Sequence, residues 1–232
     1  MRKGLLMIFP GGVGVSGLRV YDWPTADGLS GGTPHLHLAC AEAYVVVAGS
    51  GAVQTLAPSG YAENPLEAGD VVWFPPGTIH RLLNFDGGLR ITVIMQNGGL
   101  PEAGDAVFTF PPEVMADPEA YARAAVAADP AAARARRDLA IDGFLRLRRH
   151  GAQALADFLV AAHRLIAPRL DDFEKRWRAG ALAAAGETGE HLERLRRGDL
   201  SHLAQARVRK AEPEDRLGMC GRLQVYPLLP AP

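Results

Sequence analysis

Little in this chain of 232 residues points to a cross-linked, membrane-spanning or nucleic-acid-binding protein. Two cysteines, Cys40 and Cys220, are too few for a disulfide framework, and a reducing cytoplasm is the expected compartment. Wholly apolar runs are only a few residues long, so no transmembrane span and no membrane partner are expected. The opening stretch MRKGLLMIFPGG starts like a signal peptide, but its apolar part covers only Leu5 to Pro10 and Gly-Gly follows. It reads as a first strand. Net charge is nearly absent too: the formal value of −1 argues against nucleic acid or an anionic membrane as the main partner. What is present is apolar residue, 48% of the chain, enough to bury a sizeable core.

Composition changes near Pro111-Pro112. Residues 1–112 carry 5 Lys/Arg against 9 Asp/Glu and are rich in Gly, Pro and Val. Residues 113–232 carry 20 Lys/Arg against 17 Asp/Glu and are rich in Ala, Arg and Leu. In the first part, the runs AYVVVA, VQTLA, DVVWF, HRLLNF and LRITVIMQ are separated by turn residues at near-regular spacing, which predicts an antiparallel sandwich or barrel. The second part reads as helix. Asp117-Pro118 and Asp129-Pro130 each offer an N-cap followed by proline at the first helical position. Apolar residues from Ile141 to Leu159 recur at helical spacing, with Gly143 and Gly151 as candidate breaks. Leu170, Phe173 and Trp177 form a further stripe, a last helix is expected over 188–208, and GRLQVYPLLP returns to extended grammar.

The stretch GGTPHLHLACAEAYVVVAGSG places His35 and His37 one residue apart. On a strand the two imidazoles share a face. Glu42 has the wrong parity for that strand, but a turn through Leu38–Ala41 would start a new strand at Glu42 and return its carboxylate to the same centre. Glu42, Tyr44, Val46 and Ala48 then share one face. In GDVVWFPPGTIHRLLN a strand ends at Pro75-Pro76-Gly77 and His80 opens the next. Three imidazoles and one carboxylate suit a divalent first-row ion, and on an octahedral ion they leave two positions open for water, substrate or dioxygen. A structural zinc site would normally be closed, with cysteine among its ligands.

At these residues the chain resembles the cupin superfamily. The first cupin motif, G-x5-H-x-H-x3/4-E-x6-G, is met by His35, His37, Glu42 and Gly49. Its leading glycine departs, since Leu29 stands at that position and Gly28 comes one residue early. The second motif, G-x5-P-x-G-x2-H-x3-N, is met at every position by Gly69, Pro75, Gly77, His80 and Asn84. The resemblance covers roughly residues 10–110. It implies an all-β cupin fold (a double-stranded β-helix or jelly-roll barrel) over 1–112; the α-helical region expected over 113–232, ending in a short extended segment, lies beyond it. It also implies His35, His37, Glu42 and His80 as ligands of one divalent metal ion. Iron, manganese, zinc and nickel all fit such a set, with iron slightly favoured.

Other signals are weaker. Tyr44 should face inward beside Glu42, as a pocket hydroxyl or as barrel filling. Arg90, Thr92, Ile94 and Gln96 share one face of a late strand, and the direction of that face stays open. Cys40 reads as a partly buried bystander. Glu102 and Asp105, in the Gly-rich stretch QNGGLPEAGDAVFTF, read as solvated acids. His150, His163, His191 and His202 read as surface or boundary residues, and the arginine clusters RARRD, RLRRH and RLRRGD as a solvated helix face. The helical region has two candidate uses: covering the barrel mouth or packing on a second subunit in a homodimer. The final extended segment could add a strand to a barrel edge, its own or a neighbour's.

The function expected is that of a metal-dependent enzyme acting on a small organic molecule at a mononuclear site, most simply a dioxygenase-like oxidoreductase. The alternatives are a redox-neutral isomerase, lyase or decarboxylase, and a non-catalytic barrel that binds or senses a small ligand.

Overall fold

The computed structural model describes residues 9–226. Among them the strands are β1 (Gly14–Val20), β2 (His35–His37), β3 (Glu42–Ala48), β4 (Ser50–Ala57), β5 (Gly60–Glu67), β6 (Val71–Phe74), β7 (Ile79–Asn84), β8 (Arg90–Met95), β9 (Ala106–Phe108), β10 (Glu214–Leu217) and β11 (Gly221–Val225). They form two antiparallel sheets, ordered β10-β11-β1-β8-β3-β6 and β5-β4-β7-β2-β9. The strand expected within residues 1–12 lies mostly outside the described residues; Pro10–Gly12 form a short 3-10 turn.

Alternation decides which side chains fill the space between the sheets. On β3, Glu42, Tyr44 and Val46 are buried while Ala43 and Val45 are only half-buried. The pattern breaks after Val46, where the pairing with β8 shifts register, so Ala48 does not continue the inward row. On β8 the inward residues are Ile91, Val93 and Met95. Thr92 and Gln96 therefore lie on the other face and are not pocket groups; Gln96 instead accepts from the Ala41 amide at 3.1 Å. β5 is a sheet edge with most residues exposed and Pro65 within it, which suits an edge strand.

The final extended segment adds to its own barrel: β11 pairs with β1 from Ser16↔Val225 to Val20↔Gly221, and β10 hydrogen-bonds outside it. The turn between them is tied inward, with Tyr21 donating to the Gly218 carbonyl and Thr33 to that of Met219.

The helices are α1 (Pro112–Met115), α2 (Pro118–Ala125), α3 (Pro130–Ile166), α4 (Leu170–Trp177) and α5 (Ala183–Arg196). Both Asp-Pro devices work as caps. Asp117 accepts from the Glu119 amide at 2.9 Å and Asp129 from that of Ala132 at 2.8 Å. Gly151, at φ 74°, kinks α3, whereas Gly143 does not break it. A Cβ at Gly143 would lie 1.9 Å from the Thr109 carbonyl oxygen, so this glycine lets the helix touch the barrel backbone. There Thr109 donates to the Ala140 carbonyl at 2.8 Å. Ala133, Ala140, Ile141, Phe144 and Leu147 form the buried face of α3. Of the stripe on α4 only Phe173 is buried. The helix expected over 188–208 instead ends at Arg196, because Gly198, at φ 70°, turns the chain and lets the Asp199 amide reach the Arg194 carbonyl.

Candidate metal centre

The four residues singled out by spacing meet inside the barrel, and they come from both sheets. His35 and His80 are direct register partners on β2 and β7, and His37 follows on β2. Glu42, the first residue of β3, reaches in from the opposite sheet. One ligand atom from each residue lies within 4.8 Å of all the others, and all four residues are buried. His80 Nε2 stands 3.2 Å from His35 Nε2 and 3.1 Å from Glu42 Oε2, and His37 Nε2 is 3.4 Å from the same oxygen. Neighbouring ligand atoms on an octahedral ion with bonds of about 2.1 Å are separated by about 3 Å. The spacing fits.

Protonation makes the stronger case. His35 Nδ1 faces the Thr33 carbonyl at 2.9 Å and His80 Nδ1 faces the Thr78 carbonyl at 3.1 Å. His37 Nδ1 faces the Asp105 carboxylate at 3.2 Å. Each partner can only accept, so each ring donates from Nδ1, which in the neutral imidazole leaves Nε2 with a lone pair. Three lone pairs and a carboxylate oxygen then converge in a dry interior with no donor among them, and Glu42 Oε2 has no hydrogen-bond partner. Such a group is strongly unfavourable unless a positive charge joins it.

Without a metal ion, protons supply that positive charge. Burial and its histidine neighbours push His35 well below the usual imidazole range. Burial would also lower His37, but hydrogen bonds to Asp105 and Glu42 override it and raise the ring to about 9. Burial would raise Glu42, yet the surrounding imidazoles hold its carboxyl well below the ordinary range.

Residues 25–117 match the sequence model of the cupin family. The barrel is a cupin. Its fold and its histidine–glutamate group are those the two motifs imply, and the group could hold one metal ion. Solved structures similar to this cupin include a mutant of Bacillus subtilis oxalate decarboxylase, at 22% identity over 29% of this chain and 18% of that one (TM-score 0.28). Others are CapF, a capsular polysaccharide assembling protein of Staphylococcus aureus (22%, 38% and 28%, TM-score 0.30), and the TDP-quinovose 3,4-ketoisomerase WlaRB of Campylobacter jejuni (14%, 39% and 65%, TM-score 0.30). The chain spans less than two thirds of the length of each. No curated protein matches it.

A cavity of about 560 Å³ opens beside the cluster, reached by His35, His37, Glu42 and Tyr44. Tyr44 is fully buried, its hydroxyl has no hydrogen-bond partner, and burial and the Glu42 charge raise its pKa well above the ordinary phenol value. The far walls come from the second half of the chain: Arg136 of α3, Arg176 of α4, and residues of β10, β11 and their turn. Covering the barrel mouth is thus one use of the helical region.

Four buried positions escaped the sequence. Asp105 is not a solvated acid but fully buried, accepting from the Leu38 and Ala39 amides at 3.0 and 2.7 Å as well as orienting His37. Arg136 and Arg137, within RARRD, are buried rather than solvated, whereas in RLRRGD Arg196 and Arg197 are exposed and Arg194 is half-buried. Cys220 lies 3.9 Å from His35 Nδ1. Cys40, by contrast, is a bystander to the cluster, fully buried against Asn97, and burial pushes its thiol up to about 12. None of His150, His163, His191 and His202 joins the cluster, although His191 and His202 stack at 4.5 Å.

Proposed function

We propose that this cupin is a metal-dependent enzyme that acts on a small organic molecule, with His35, His37, Glu42 and His80 holding one divalent ion and iron the first choice. The observation that carries the reading is the convergence of three Nε2 lone pairs on an unpaired buried carboxylate. A bound ion would supply a Lewis-acidic centre with positions open to substrate and to dioxygen. The protein does the rest. Thr33, Thr78 and Asp105 fix the rings, so the donor set needs no reorganisation. Leu18, Val93, Met95 and Leu223 give the cavity an apolar wall beside the cluster, which suits the body of an organic substrate in a dioxygenase-like reaction.

A redox-neutral isomerase, lyase or decarboxylase is the second reading. The observation favouring it is the Tyr44 hydroxyl, which stays protonated and unpartnered at the cavity wall and could donate a hydrogen bond to a substrate oxygen.

Elemental analysis of wild type beside His35→Ala and His80→Ala tests the site. About one ion per wild-type chain and little in either variant is expected; equal content in all three would sink it. Anaerobic loading with Fe(II), followed by oxygen uptake over small phenolic, thiol and keto acids, tests the chemistry. Turnover without oxygen consumption would select the second reading, and tight ligand retention without turnover a binding protein.

A further inference from the structure

The cavity contains a second unsatisfied charge, at the wall opposite in chemistry to the acceptor cluster. Arg136 projects from α3 and is only 7% exposed. Its guanidinium carbon sits 5.0 Å from the Phe108 ring centroid, and that ring in turn lies 6.4 Å from the ring of His35. Phe108 therefore neighbours both the cation and the cluster.

The partners of Arg136 are all neutral. Nη1 donates to the Ala125 carbonyl at 3.2 Å and Nη2 to the Gly218 carbonyl at 2.6 Å. Nε is buried with no partner. Among the described residues no carboxylate lies within ion-pair distance of it, although Arg176 and Arg216, which also line the cavity, are paired with Asp172 and Glu214 at 2.8 and 2.6 Å. The nearby phenols offer no charge: burial raises Tyr21 and pushes Tyr121 up to about 12, so both stay protonated. A buried guanidinium without a counter-ion is costly, and its free donors suit a planar anion. The two carbonyls hold the guanidinium in place, one of them from the β10–β11 turn.

We propose that the ligand of this cavity is a small organic acid, whose carboxylate pairs with Arg136 while its body lies along the apolar wall toward the histidine cluster. The cavity volume of about 560 Å³ falls in the small-molecule range and leaves room for an apolar or aromatic body. The proposal deepens the enzyme reading and rests on it, since it takes the same cavity as the substrate site.

The test uses benzoate and its uncharged counterpart benzamide as probes on the metal-loaded full chain, with dissociation constants from calorimetry and metal content measured in parallel. Wild type should bind benzoate at least about tenfold more tightly than benzamide, the worth of one charge-assisted pair. Arg136→Gln should lose most of that preference while keeping its metal. Arg136→Lys, which retains the charge without the planar fork, should fall between the two. Equal affinity for both probes in wild type, or an undiminished preference in Arg136→Gln, would overturn the proposal. If Arg136→Gln does not fold, Arg136→Met takes its place, and an undiminished preference there overturns the proposal. Failure of the underlying reading looks different: wild type then carries no metal, whatever the probes do.

Discussion

Asp105→Asn separates the two tasks of this buried carboxylate. Its Oδ1 accepts from the Leu38 and Ala39 amides, and its Oδ2 faces His37 Nδ1. An asparagine carbonyl can keep both amides, which turns its NH2 group toward the ring. Two N–H groups cannot face each other, so His37 must shift to the tautomer protonated on Nε2 and lose the lone pair aimed at the cluster. His37 is the cluster histidine held by a side chain; His35 and His80 are held by backbone carbonyls. The loop should survive, at a stability cost of about 1 kcal/mol, while metal affinity falls about 10- to 100-fold. Asp105→Ala removes all three acceptor contacts and should cost about 3 kcal/mol or more in stability as well. Competition against a chromophoric chelator gives the affinity and thermal unfolding of the metal-free proteins gives the stability. Affinity in Asp105→Asn within twofold of wild type would refute the tautomer argument. Equal losses of stability in the two variants would show that the amide contacts do not tie the loop.

Two further outcomes follow from charge and surface. Arg81 is fully buried and pairs with Asp27, whose carboxyl would be raised by burial but is lowered to about 2 by hydrogen bonds from Arg81 and Thr25. Because the folded value is depressed, the stabilisation is complete above the ordinary carboxylate range and is lost as pH falls toward 2. About 2 kcal/mol of acid-dependent stability should therefore vanish in Asp27→Asn, read as a flatter urea-unfolding stability between pH 5 and 2.5; an unchanged slope would refute it. On the outer sheet face Val47, Val71 and Trp73 are 55%, 55% and 72% exposed, an apolar patch on which the expected homodimer would pack. Sedimentation equilibrium should show a dimer that Trp73→Glu converts to monomer, and a monomeric wild type would end that expectation.

What was legible in the sequence was whatever local spacing dictates. His35, His37 and Glu42 lie within eight positions, and a two-residue period plus one turn fixes their faces. His80 came from a Pro-Gly turn that determines which residue opens the next strand. The caps at Asp117 and Asp129 are likewise local chemistry. Asp105 could not be read this way, because its meaning lies in amides 66 and 67 residues earlier in the chain. A glycine-rich context looks the same whether its acid is solvated or buried. Arg136 and Arg137 failed for a related reason, since helical periodicity finds a buried face from apolar residues and these cations sit on that face. The end of α5 was available, because Gly198 follows a basic last turn, the usual signal of a helix stop.

The division of labour within the cavity bears on how a reaction would be chosen. His35, His37, Glu42, His80 and the orienting Asp105 all fall inside residues 25–117, the stretch that matches the cupin family. Arg136, Arg216, Leu217, Cys220 and Leu223 fall outside it, yet line the same space. The acceptor cluster alone says only that a cation is wanted, and many ions and reactions satisfy that. A buried guanidinium is far more selective, because it penalises every neutral ligand that fills the cavity without meeting its charge. On the proposed reading, then, the barrel supplies the metal chemistry and the appended helices and hairpin decide which molecule receives it. Substitutions at Arg136 should accordingly alter ligand preference at constant metal content, while substitutions at His35 or His80 abolish metal binding.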